Sequence, residues 1–566
     1  MQPSPNDEDS FNPLYRMRFA RFNFSGSSGN LVAEIKTTYK LDARASASVS
    51  SHENALACAA SLYKSIAAGI LLALFFCCNP AMAELTVASP FTDNAVLQRN
   101  MPVPVWGTAD AATTITVKFG NQQKSSVTDK DGNWRVQLDQ MPASFEPQAL
   151  KVSDGTNRIS LSNVVVGEVW ICSGQSNMQQ GVAASADIKA LVGKAKNLRT
   201  FEVKRMVAMT EQSSLEGKWV ERHPDSAVAF SFAYFLEQAG DVPVGIILSC
   251  WGSSSLEAWM PRDMVETVPH FKTMMEEFDA DAQTRKKINS ILAGKRPWGR
   301  PNDIFLRRQT NILYNAMIHP LVPYACRGLV WYQGERNTQS MFGMSKQPWY
   351  HRHSGMLKYG DTLKAWIQRY RKAWQADQMQ FMVVMLPGYY KPIKTGPKTG
   401  AEHPAAHSWA WMRESQLKAL ELPHTYVVNT IDLGDLKNIH PKDKLPIGKR
   451  LALLAERNSL GRDVIAEGPL MQRVEVHGKQ LVVHFNHADG LTTIDGKQPT
   501  AFWLADDSGE WVPAKAHLKK QTVVLSSSKL KKPLYVRYAF AGKPKVNLVN
   551  SAGLPAYPFR TDRFEP

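Results

Sequence analysis

Cysteine is scarce in this chain, with six residues in 566, too few to frame a fold of this length with disulfides. Cys58, Cys77 and Cys78 fall in a segment expected to be removed, which leaves Cys172, Cys250 and Cys326. Each adjoins an apolar, strand-like run, so these three read as buried thiols. They lack metal-ligand spacing, and nothing else in the sequence calls for a metal, nucleotide or organic cofactor. Also absent are a dense basic helix and any nucleic-acid motif, although the formal net charge is +16. Scattered positive charge reads as a solvated surface, with attraction of acidic glycans as the alternative, and no nucleic-acid partner is expected. The expected mature part shows no internal repeat, no low-complexity tract and no membrane-spanning helix. What remains, 44% hydrophobic and 21% charged residues, is globular composition with room for several cores. Length alone suggests three or four domains.

The first 63 residues show no sustained periodicity. Lys64 then precedes the short apolar run Ser65–Phe76, and Ala81-Met82-Ala83 follows. A charged start, a short apolar stretch and an Ala-x-Ala site make residues 64–83 a signal peptide within a leader spanning 1–83. The run is too short to span a bilayer, and no lipoprotein box is formed, because bulky Phe76 precedes Cys77. Translation is expected to start just upstream of Lys64 and the mature chain at Glu84. A periplasmic or secreted protein with no membrane anchor after cleavage follows. The alternative is an internal buried helix.

Residues 84–163 alternate in short runs separated by turn clusters such as Asp129–Asn133, the pattern of a small β-sandwich-like domain. Residues 164–457 alternate strands with helical stretches, which predicts an α/β domain with a parallel sheet covered on both faces. Strands are expected at Val164–Cys172, Val242–Cys250, Gly328–Tyr332, Phe381–Leu386 and Tyr426–Ile431, with a closing helix over Lys442–Arg457 and a surface loop around Arg285–Asp303. Residues 458–566 return to a β pattern and form a C-terminal β-sandwich-like domain.

Polar, glycine-bearing loops follow the central strands, and in open α/β sheets such loops converge at one edge. Ser176 sits where the first strand gives way to a helix, placed either to attack an acyl carbon or simply to cap the helix. His440 follows the last strand, its backbone restrained by Pro441, and suits proton shuttling. Backbone N–H groups of Ser176 and Gly252 and the side-chain amide of Gln333 could receive an oxyanion. The acid that would orient the histidine stays open between Glu335, Asp432 and Asp435, any of which could be a loop cap.

Several blocks stand in a fixed order: Gly174-Gln-Ser-Asn-Met178, Trp251-Gly252 with Glu257-Ala-Trp259, Trp331-Tyr-Gln-Gly-Glu335, Arg413-Glu-Ser-Gln416, Ile439-His-Pro441 and Asn547–Ala556. This set resembles the sialate O-acetylesterase family of SGNH-type hydrolases, related to acetylxylan-type carbohydrate esterases, from about Leu85 to Arg563. The resemblance implies an SGNH-like three-layer α/β/α fold, Ser176 as nucleophile, His440 as base, and Glu335 as the matching acid. Lys437 stands where such enzymes often carry Asp three residues before the histidine, which favours Glu335 or a more distant acid. Ser253 replaces an expected glycine, Arg336 an expected serine, and Gln179-Gln180 an acidic–aromatic pair. These flank the pocket and bear on substrate preference more than on reaction type. The implied activity is removal of O-acetyl groups from a carbohydrate, O-acetylated sialic acid first and plant-type polysaccharide second, with Trp251, Trp259 and Trp331 among the aromatics expected to hold the sugar. A non-catalytic glycan-binding protein is the remaining alternative.

Overall fold

The computed structural model describes residues 84–338, 355–390, 400–404 and 408–564. The chain divides into Met1–Pro80 and Ala81–Pro566, and the described residues all belong to the second unit. The expected leader and signal peptide lie outside them.

Among the described residues, seven strands form the central path of an eleven-stranded sheet: β1 (Arg158–Gly174), β2 (Leu198–Glu202), β3 (Trp219–Val220), β4 (Val244–Cys250), β5 (Gly328–Tyr332), β6 (Gln380–Val384) and β7 (Thr425–Val428). Their spatial order is β7-β6-β5-β1-β4-β2-β3. All neighbours run parallel except the short edge strand β3, which is antiparallel to β2. Every residue of β4, β5 and β6 is buried, as continuous apolar runs require of a sheet covered on both faces. The covering helices pack in pairs. Helix α2 (Ala227–Gly240) lies against α5 (Leu445–Ser459), and α3 (Met356–Trp374) against α4 (Ser408–Leu417). Helix α1 is the single turn Ser176–Gln179 that follows β1.

Strand β1 begins at Arg158, earlier than its apolar run suggests. Its first half pairs antiparallel with Ser144–Ser153 of the N-terminal sheet, and its second half enters the central sheet. The boundary expected at 163/164 therefore falls inside one strand. Strands β2 and β3 were not legible because β2 carries Arg199 in a buried position. Its guanidinium is satisfied by the carbonyl oxygens of Asn94 and Asn163 and by the Glu221 carboxylate, so a charged residue is hidden in a core strand.

The segment expected as a surface loop is instead helical over Ala282–Leu292 and Arg300–Leu306. Asp281 caps the first of these by accepting the Thr284 N–H at 2.9 Å, and Ile288 and Ile291, three residues apart, are buried on one face. Basic composition on the exposed face hid a short amphipathic pattern. Among the described residues the C-terminal region forms two four-stranded antiparallel sheets and a two-stranded one. Arg413 of α4, fully buried, ties this region to the central sheet by donating to the carbonyls of Leu386, Pro387, Ala541 and Gly542. Cys172, Cys250 and Cys326 are free and buried, and burial pushes the Cys250 and Cys326 thiols up to about 12.

Candidate active site

Strand β1 lies between β4 and β5, and the chain crosses from one side of it to the other, so the crevice opens at the carboxyl end of β1. Gly174 ends that strand at φ +135°, and a Cβ there would meet the Tyr332 carbonyl oxygen at 2.2 Å, a close approach only glycine permits. Three loops are then pinned together by backbone bonds: Trp251 N–H to Gly174 O at 3.0 Å and Gln175 N–H to Tyr332 O at 3.0 Å. Ser176 opens α1 directly beyond this knot and is half-buried.

The histidine loop follows β7. Asp435 accepts the N–H groups of Lys437 and Asn438, and Asn438 accepts the His440 N–H at 2.9 Å, a self-bonded turn of the kind Asp and Asn favour. This turn brings His440 Nε2 to 2.8 Å from Ser176 Oγ, although 264 residues separate them. Burial, and then the Lys444 charge, hold His440 below the ordinary histidine range. The neutral imidazole that could accept the serine proton is favoured.

Asn177 fastens these parts. Its side-chain amide donates to Glu335 Oε1 and to the Ile439 carbonyl at 3.0 Å, while its oxygen accepts from Lys444 Nζ. Glu335 and Lys444 are both buried. Burial raises the Glu335 pKa against the lowering effect of its Asn177 bond. Lys444 is pulled down to about 8 by burial, with Glu335 and Asp443 opposing.

The structure places several of the expected residues away from the His440 ring. Glu335 does not reach the histidine: one carboxylate oxygen takes Asn177 and the other is buried without a hydrogen-bond partner. Asp432 is held bidentately by Arg450 at 2.8 and 2.7 Å, and Asp435 shapes the turn without touching the ring. Among the described residues no carboxylate bonds the His440 ring. Asn438, two residues ahead of the histidine, bonds backbone only.

The Gln333 amide does not point at Ser176 Oγ. It donates to Gln175 Oε1 at 3.2 Å, Ser254 O at 3.1 Å and Asn337 Oδ1 at 2.7 Å, and its own oxygen accepts from the Tyr359 hydroxyl at 2.9 Å. Asn337 continues the network to the buried Glu257 carboxylate. Gly252 does lie against the nucleophile, since a Cβ placed on it would sit 3.1 Å from Ser176 Cβ. Its N–H, however, donates to Gln179 Oε1 at 2.7 Å. The next residue, Ser253, has φ +65°, which accounts for the glycine expected there.

Trp251, Trp259 and Trp331 are buried, at 2%, 0% and 0% exposure, and cannot present faces to a sugar. The indole N–H groups of Trp259 and Trp331 bond Ser254 and Tyr359. An exposed aromatic, Trp298, stacks on Trp251 with ring centroids 6.3 Å apart. Asn177 and Gln179 lay inside or beside the quoted Gly-Gln-Ser-Asn-Met block and carried that signal. Lys444 and Trp298 carried none.

A family model described as carbohydrate esterase, sialic acid-specific acetylesterase, matches residues 302–455, a span that includes His440. The sialate O-acetylesterase of Rattus norvegicus is 27% identical over 522 residues, covering 83% of this chain and 93% of its own length. That of Homo sapiens is 24% identical over 515 residues, covering 83% and 91%. A solved carbohydrate acetylesterase from Xanthomonas citri is 29% identical, with a TM-score of 0.70, and covers 85% of this chain and all of that one. Its extent agrees with an SGNH-like mixed α/β architecture bearing additional β-sheets. By these likenesses the chain resembles the sialate O-acetylesterase family, and they indicate a carboxylic ester hydrolase.

Proposed function

We propose that this protein is a serine esterase that removes O-acetyl groups from carbohydrate through an acetyl-enzyme, with O-acetylated sialic acid as substrate. The observation that carries this reading is the 2.8 Å contact between Ser176 Oγ and His440 Nε2 at the carboxyl edge of the sheet. His440 takes the hydroxyl proton as Ser176 Oγ attacks the acetyl carbon. The N–H groups of Ser176 and Gly252 face the developing oxyanion, the latter once Gln179 withdraws. The protonated imidazole then gives its proton to the departing sugar oxygen, and water enters by the reverse sequence to release acetate. Because no described carboxylate bonds the imidazole, the site works as a Ser–His pair fixed by loop hydrogen bonds.

The sugar is held outside this pair, where Trp298 offers an exposed ring face. Acetate release from O-acetylated sialic acid, compared with release from acetylated xylan, tests the substrate. Faster turnover of xylan would replace sialate by plant-type polysaccharide, and binding of either glycan without any ester cleavage would make the protein a glycan-binding module. Export through residues 64–83 belongs to the same reading. N-terminal sequencing of exported protein should find Glu84 first, and a mature start before residue 60 would refute it.

A further inference from the structure

A second concavity, of about 400 Å³, has Phe278, Phe305, Arg308 and Arg336 in its wall, with the carboxylates of Glu277 and Asp281 also along it. Both arginines bond to residues that flank the reacting groups. Arg308 Nη2 donates to Ser253 Oγ at 3.1 Å, one residue from the Gly252 that touches Ser176. The Arg336 backbone N–H donates to Gln175 Oε1 at 3.1 Å, one residue ahead of the nucleophile.

Arg308 forms no ion pair among the described residues, and its Nε is buried without a hydrogen-bond partner. Half-buried and without an acidic partner, this guanidinium is open to an arriving anion. Arg336 is buried, and its pKa is lowered to about 10, first by burial and then by the Arg308 charge, with Glu257 opposing. The two guanidiniums thus repel one another across a space beside the nucleophile loop.

We propose that Arg308 and Arg336 form a subsite for the carboxylate of an acidic sugar, seated beside the Ser176–His440 pair. Planar guanidinium groups match a carboxylate in bidentate geometry, and a bound anion removes their mutual repulsion. Glu277 and Asp281 offset part of the positive charge, which suits a singly charged carboxylate better than a multiply charged phosphate. Phe278 and Phe305 offer apolar wall to the sugar's carbon face. The proposal rests on the deacetylation reading above and specifies the substrate class that reading requires.

The test is titration calorimetry with N-acetylneuraminic acid and its carboxyl methyl ester, neither of which carries an ester that Ser176 is proposed to cleave. Wild-type protein and Ser176→Ala should each bind the acid at least tenfold more tightly than the methyl ester. Arg308→Gln should bring the two close to parity, and Arg308→Lys should restore part of the difference. Equal binding of acid and methyl ester by wild-type protein, no measurable binding of the acid, or an undiminished preference in Arg308→Gln would each overturn the subsite. The wild-type comparison stands even if the Arg308 variant does not fold. Wild-type protein that prefers the acid yet releases acetate from no substrate would sink the esterase reading while leaving the subsite in place.

Discussion

The loop after β7 and the loop after β5 reach the same edge of the sheet, yet they put their polar groups to different uses. The histidine loop is half-exposed, holds itself in a turn through Asp435 and Asn438, and leaves the imidazole free to meet Ser176. The glutamine loop is buried. Gln333, Glu335 and Asn337 are 0%, 2% and 1% exposed, and their hydrogen bonds go to Gln175, Ser254, Glu257 and Asn177. Reactive groups need access to substrate and a proton acceptor, whereas fully buried polar groups must be satisfied within the protein. Burial thus divides one rim into a half proposed to react and a half that holds.

That division is sharpest in the variants with the largest expected effect. Ser176→Ala and His440→Ala should each lower acetate release by about 10⁴-fold or more, as loss of either member of such a pair does in serine hydrolases, with circular dichroism unchanged. Gln333→Leu should act on stability first. It leaves Gln175, Asn337 and the Tyr359 hydroxyl short of partners, at a cost of about 2–4 kcal/mol, read as a lower midpoint in urea. A variant that kept wild-type stability but lost turnover would return Gln333 to the reaction. Glu335→Gln keeps an acceptor for Asn177 and should cost less than about tenfold in rate. A loss comparable to that of His440→Ala would put Glu335 back in contact with the imidazole during turnover.

Much of this was legible in the sequence. Five of the seven central strands follow from apolar runs, and Ser176 and His440 from their places after the first and last of those strands. The terminal β regions follow from alternation. What could not be read was the partnering of individual polar atoms. Glu335 and Gln333 sit in the expected block, but only coordinates reveal that Asn177 and Asn337 claim them. Arg199 hides β2 because its bonds lie 22–105 residues away in sequence. The buried tryptophans misled for a related reason: an aromatic beside a motif is as useful to the core as to a sugar.

The two halves of the rim meet electrically at Lys444, and pH dependence exposes that link. The proposed mechanism needs neutral His440, so kcat/KM should rise with pH through the histidine pKa, which burial and Lys444 hold below the usual 6.5. Lys444, at about 8, is still charged where that acid limb falls. Lys444→Met removes one of the two lowering influences, so the limb should move to higher pH in a kcat/KM profile. An unmoved limb would mean that burial alone sets the histidine.

The smallest expected effect concerns Gln179, which lies between the two halves and belongs to neither. Its side-chain oxygen occupies the Gly252 N–H at 2.7 Å, the donor that the proposed oxyanion would use. An acyl oxygen must therefore displace an existing hydrogen bond, and the exchange of one acceptor for another costs little net energy. Gln179→Ala frees the donor, and kcat/KM on p-nitrophenyl acetate should rise by a few-fold, chiefly through a lower KM. The half-buried side chain leaves little cavity behind, so stability should barely change. A fall in kcat at unchanged KM would instead show that the amide turns its N–H toward the transition state, making Gln179 a donor and moving it to the reacting half of the rim.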